Sequence, residues 1–203
     1  MKNKHQEQVL REISDVVYPI INNWENYSEN ELEHLLKRLG NICRDETSLV
    51  RKKHLPVKNL VESLLRTGNK YENNHKILIQ IVSSIYNMYD RYDLEISDEI
   101  FNFLILQTKN KKVNFYVSIF INELPQFALY KDKREYVMSI PNIAPKDKSR
   151  GTFYRVINDN IDIIPNQLKM EIIKIFENYI DKSNLHPYTV TQYLELIQRL
   201  KEK

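Results

Sequence analysis

Glycine occurs three times in this 203-residue chain, at positions 40, 68 and 151, and proline seven times. So little turn material argues against a sandwich or barrel, whose strands are joined by tight turns rich in those residues. Three scattered glycines also leave no Walker loop and no dinucleotide fingerprint, because a phosphate cradle needs glycines that bring backbone N–H groups close to oxyanions. A G-x-S-x-G elbow is missing too. The single cysteine, Cys43, has no partner for an internal disulfide, which suits a reducing compartment. Apolar runs are short, as in Ile77-Leu78-Ile79, against the roughly 18 residues that cross a bilayer. The opening stretch from Met1 to Leu10 is polar and charged, unlike a signal peptide. The expectation is a soluble, cytoplasmic protein with no membrane partner.

Charge of one sign is also lacking: 30 Lys and Arg face 27 Asp and Glu, for a formal net charge of +3. Apolar residues make up 42% of the chain, enough for a sizeable core at this length and too many for bulk disorder. Ile (24), Asn (21), Lys (20) and Tyr (13) are abundant while Ala occurs twice. AT-rich codons encode those four, so Asn-rich and Tyr-rich stretches are discounted as binding signals. Length predicts a single domain over 1–203, with a possible weak boundary in the loop 139–150.

Apolar residues recur at helical spacing almost throughout. Val9, Leu10, Ile13, Val16, Val17, Ile20 and Ile21 form one stripe, with Pro19 expected to kink its last turn. Ser28 and Glu31 make a capping box ahead of Leu32, Leu35, Leu36, Leu39, Ile42 and Cys43, and Gly40 is placed to end or loosen that helix. A third helix is predicted from about Thr47, with Pro56 interrupting it or opening a new one, and Thr67-Gly68-Asn69 as its stop. A fourth carries Leu78, Ile81, Val82, Ile85, Met88, Tyr89 and Tyr92. Ser97 caps a fifth over Ile100 to Ile105, and Val113 to Phe127 forms a sixth. Three more follow over 151–164, 165–180 and 187–200, the last with a seam of Val190, Tyr193, Leu194, Ile197 and Leu200. The preceding helix, through Leu168, Ile172, Ile175, Phe176 and Tyr179, is expected to cover that seam.

The fold class predicted is therefore all-α: about nine helices in antiparallel pairs, with no strand. Helix centres about 20 residues apart give a pair period near 40, and the pairs Ile100–Phe127 and Phe153–Ile180 each have a proline in or near the turn, Pro125 and Pro165. In this spacing the chain resembles the HEAT/armadillo α-α repeat proteins. The resemblance implies a superhelix with an extended binding surface. It is one of spacing and not of a sequence motif, and an irregular helical bundle reads almost identically.

Residues that could carry chemistry are dispersed. His5, His34, His54, His75 and His186 have no His, Cys, Asp or Glu at a ligand spacing such as H-E-x-x-H, so neither a metal nor a cofactor is expected. No Arg is followed four to six residues later by His, the pairing of helical ribonucleases resembling the HEPN family. Cys43 lies on an apolar stripe and reads as a small core residue. The carboxylate pairs Asp90/Asp93 and Asp159/Asp162 are the sort that solvated helix faces produce routinely. No catalytic residue is assigned, and the chain is read as not an enzyme.

Charge is nonetheless segregated. Residues 1–50 carry 6 basic and 9 acidic groups, while residues 101–150 carry 9 and 4. The acidic candidates are Glu25, Glu29, Glu31 and Glu33, at a helix start where the macrodipole favours them. The basic candidates are Lys109, Lys111, Lys112, Lys131, Lys133, Arg134, Lys146, Lys148 and Arg150, with Arg51-Lys52-Lys53 as a separate tract. Two functions follow. The first is a non-enzymatic module that binds another protein, by analogy an immunity (toxin-neutralising) or defence-system protein. The second is a nucleic-acid binder, using the basic loops in 109–150 and their neighbouring aromatics.

Overall fold

The computed structural model describes residues 2–44 and 49–202. Every regular element among them is helical, with no strand. The chain divides into two compact units, 1–133 and 134–203.

The first unit opens with α1 (Lys2–Glu12), a π-helical turn at Ile13–Val17 and α2 (Tyr18–Asn23), in unbroken succession. The π turn answers Pro19, which has no N–H to donate and whose ring crowds the carbonyl four residues back. Widening the helix lets Tyr18 N–H bond Ile13 O instead. Val9, Ile13, Val16, Val17 and Ile20 turn inward, while Leu10 stays at the surface.

After a 3-10 turn at Trp24–Asn26 come α3 (Glu29–Arg44), α4 (Leu49–His54), α5 (Val57–Lys70) and α6 (His75–Arg91). The capping box forms at α3: Ser28 N–H donates to Glu31 Oε2 at 2.9 Å, and Glu31 N–H faces Ser28 Oγ at 3.5 Å. Leu32, Leu36 and Leu39 are fully buried behind it. Pro56 separates α4 from α5, and the expected start near Thr47 lies outside the described residues. Neither Gly40 nor Gly68 ends its helix. α3 continues to Arg44 and α5 to Lys70. A Cβ at Gly68 would lie 2.7 Å from the Phe103 ring, so only glycine lets that ring rest on the α5 backbone.

α7 (Asp98–Gln107) starts at Ser97, whose Oγ accepts from Ile100 N–H at 3.3 Å. The helix expected over Val113–Phe127 is instead three pieces: α8 (Asn114–Ser118), a 3-10 turn at Ile121–Glu123 and α9 (Pro125–Ala128). Pro125 drives Leu124 into extended backbone, φ −77° and ψ 134°, which ends any helix arriving there.

Short α10 (Lys133–Ser139) leads into the second unit, built from a 3-10 turn at Ile140–Asn142, α11 (Lys146–Asp159), α12 (Asn166–Lys182) and α13 (Pro187–Glu202). Its core is aromatic. Phe153 of α11 stacks on Phe176 of α12 at 5.4 Å, and Tyr193 of α13 meets Phe176 at 5.0 Å. The seam of α13 is covered within the chain as expected, but its register differs. Leu194 is 53% exposed and Leu196, at 1%, takes the inward place beside Tyr193, Ile197 and Leu200.

Candidate functional site

The pairing of α3 with α6 organises the first unit and engages several of its charged residues. Asn74 Nδ2 donates to Glu29 Oε2 at 2.7 Å and Lys76 Nζ lies 3.4 Å from Glu33, both at the helix starts. Further on, Gly40 faces Gln80 and Ser84, and Tyr92 OH reaches Ile42 O at 3.2 Å. Residue numbers rise together on both sides, so α3 and α6 run parallel, and their positive dipole ends adjoin.

The acidic candidates sit at that shared N-terminal end. Glu31 closes the capping box, and its hydrogen bonds from the Ser28 side chain and backbone hold its carboxyl below the usual range. Glu29 and Glu33 bridge to α6, while Glu25 is exposed in the 3-10 turn. A polar cleft of about 500 Å³ opens here, with Glu29, Glu33, Lys70, Asn74 and Lys76 on its walls. Lys70 Nζ stands 5.1 Å from the Trp24 ring centroid and 5.6 Å from that of Tyr71, a cation–π contact already made inside the chain.

At the other end of α3 the last carbonyls take up cationic donors, as helix C-termini favour. Arg51 Nη1 donates to Ile42 O at 3.3 Å, Arg51 Nη2 pairs with Glu12, and Arg91 bonds Arg44 O. The sequence places Arg51 in a surface tract with Lys52 and Lys53; in the fold it is 7% exposed and ties α1, α3 and α4 together. Only its position two residues into a helix beside an apolar core could have hinted at this. Lys52 joins Asp93 at 3.1 Å, and Asp93 sits at φ 55°, closing α6 in the left-handed region that aspartate tolerates. Cys43, fully buried next to this cluster, has its thiol pushed up to about 12 by burial, which makes it a poor nucleophile.

The basic candidates divide between the two units. Lys109, Lys111, Lys112, Lys131 and Lys133 belong to the first, and Arg134, Lys146, Lys148 and Arg150 to the second. Within the first unit α7 sets them apart. Lys109, Lys111 and Lys112 follow its last turn, whereas Lys131 and Lys133 follow Tyr130, whose ring meets Phe101 in the first turn at 6.3 Å. Ten helical residues between them span about 15 Å. Lys133 Nζ turns back to Ala128 O at 3.0 Å.

Arg150 is a packing residue. Its guanidinium lies 4.9 Å over the Tyr179 ring, bonds Ser183 Oγ at 2.7 Å and meets Asp147 at 3.3 Å. Burial raises Tyr179 to about 12 against the opposing pull of Arg150, and among the described residues its hydroxyl has no hydrogen-bond partner. Among the described residues no three His, Cys, Asp or Glu converge as metal ligands, and no helix is long and apolar enough to cross a membrane.

A second cavity, about 480 Å³, runs between α5 and α7. Leu65 and Phe103 floor it, and Asn69, Glu99, Asn102 and the half-exposed Leu106 rim it. Comparison of the chain with protein-family models, with curated proteins and with solved structures finds no match.

Proposed function

We propose that the chain is a non-enzymatic, protein-binding helical module, stacked in the α-α manner of HEAT and armadillo proteins, that neutralises a toxin or serves a defence system. One observation carries this reading. Glu12, Arg51, Tyr92, Glu31 and Glu33 are engaged in holding helix ends, whereas large apolar side chains stand outside on helix faces. Leu106, Met170, Tyr188 and Leu194 are each more than half exposed. The parallel α3 and α6 add support, since successive repeats of an α-α array set like helices side by side.

The test is calorimetric titration of the full chain against the product of the neighbouring gene. A stoichiometric complex is expected, weakened at least tenfold by Met170→Glu or Leu194→Glu with helicity unchanged. Absence of any association overturns the assignment of that partner.

A nucleic-acid reading draws on the exposure of Lys109, Lys111, Lys112, Lys131, Lys146 and Lys148. It requires affinity that falls steeply with salt and that vanishes when Lys111, Lys112, Lys146 and Lys148 become Glu. Arg150 is left out of that variant because it packs on Tyr179.

A further inference from the structure

The solvent face of α7 has a charge order of its own. Glu99, Asn102 and Leu106 are exposed and line the α5–α7 groove together. Their spacing of three and four residues sets them in one stripe along the helix. Lys109 extends it: its N–H donates to Leu106 O at 3.2 Å in a 3-10 turn, which stacks residue i+3 over residue i. Along about 15 Å the stripe reads carboxylate, amide, apolar, ammonium. Neither Glu99 nor Lys109 takes part in an ion pair within the described residues.

The charged ends of this order are complementary when it is reversed. About an axis level with position 104, Glu99 falls opposite Lys109 of a second copy, and Asn102 falls opposite Leu106. A twofold interface demands that pattern, because residue i must meet j while j meets i. Antiparallel alignment also sets the two helix dipoles against one another favourably. The groove supplies the apolar contact, since Leu106 of each copy can lean toward the Phe103 and Leu65 floor of the other.

We propose that α7 is a self-association surface, pairing antiparallel with α7 of a second copy through two Glu99–Lys109 ion pairs and the Leu106 groove. One helix face and one groove fall short of the roughly 800 Å² per partner of standard stable complexes. The dimer is therefore weak, in the high-micromolar range, and strengthens at low ionic strength, where exposed ion pairs are least screened. This surface goes beyond the binding of a foreign protein proposed above and needs no such partner.

Sedimentation velocity on the full chain, from 10 μM to 1 mM at low salt, should show a monomer–dimer equilibrium that weakens as salt is added. Glu99→Lys and Lys109→Glu should each reduce association about tenfold, by turning two attractive pairs repulsive. Mixed together, these two single variants should associate as the parent does, because each then supplies the charge the other needs at both contacts. Leu106→Asp should abolish dimerisation while its melting midpoint and circular dichroism stay those of the parent. A chain that remains monomeric at 1 mM, or a dimer indifferent to all three substitutions and to mixing, overturns the proposal.

Discussion

At Gly40 and Gly68 the same residue, inside the same kind of helix, has opposite mechanical meaning. A Cβ at Gly40 would meet Gln80 Oε1 at 3.4 Å, an ordinary contact with the end of a flexible side chain. Gly40→Ala should therefore stabilise the protein by about 0.5–1 kcal/mol through helix propensity and a less disordered unfolded chain, read from chemical denaturation. At Gly68 the added methyl would collide with the Phe103 ring at 2.7 Å. Overpacking of about 1–3 kcal/mol outweighs the propensity gain there, so Gly68→Ala should lower the midpoint. Arg51→Met should cost about 2–3 kcal/mol, because the Ile42 carbonyl and Glu12 both lose their cationic partner.

Tyr179 gives the protein a stability signature in alkali. Burial holds its hydroxyl at about 12, above the value near 10 of an unfolded tyrosine, so the folded state keeps the proton more firmly. The associated stability is fully present below about pH 10 and is lost as pH rises through about 12. Tyr179→Phe should flatten the fall in melting temperature between pH 9.5 and 11.5 and change the neutral-pH value little, since among the described residues the hydroxyl has no partner to lose. An equally steep alkaline fall in the variant would show that other groups drive it.

Among the elements, α13 separates a stripe read on spacing from the face actually buried. Val190, Tyr193, Leu194, Ile197 and Leu200 fit a narrow seam, yet the helix is rotated so that Leu196 is inside and Leu194 outside. Leu194 and Leu196 stand on opposite sides of Glu195, and either can join Tyr193, Ile197 and Leu200 in an apolar arc. Contact with Phe176 and Tyr154, which meet Tyr193 at 5.0 and 5.6 Å, decides between them. Leu196→Ala should accordingly cost about 2–5 kcal/mol and Leu194→Ala under 0.5, measured by thermal or urea unfolding. The start of α3 is simpler. Its cap is local, all four relevant atoms lie within four residues, and Ser28→Ala should cost about 1 kcal/mol.

Across the whole molecule the segregated charge of the sequence resolves into several structural roles. The acidic residues near the start complement two adjoining helix N-termini, Arg51 and Arg91 serve the opposite end of α3, and Arg150 covers the aromatic core of the second unit. The exposed lysines of 109–150 divide between the two units, and several large apolar side chains stand exposed on helix faces. A far-UV circular dichroism spectrum dominated by helix, with no sheet component near the globular average of about 20–25%, is expected from this arrangement.

The helical class, the capping box at Ser28 and Glu31, the cap at Ser97 and the break at Pro56 were all legible in the chain, because each depends on residues within one or two turns of one another. Periodicity likewise placed most of the core: Leu32, Leu36, Leu39, Leu78, Ile81, Val82 and Ile85 are buried as their spacing implies. The sites were less legible. That Arg51 would be interior, that Gly68 would admit a ring, that Leu196 and not Leu194 would turn inward, and that α3 would lie parallel to α6 depend on partners in other helices, up to 50 residues away, or on the rotation of a helix against its neighbour. Hydrophobic pattern and capping act along the chain and are written in residue order. Which carbonyl an arginine reaches, and which face a helix presents, follow from how finished helices pack, and only the tertiary structure decides them.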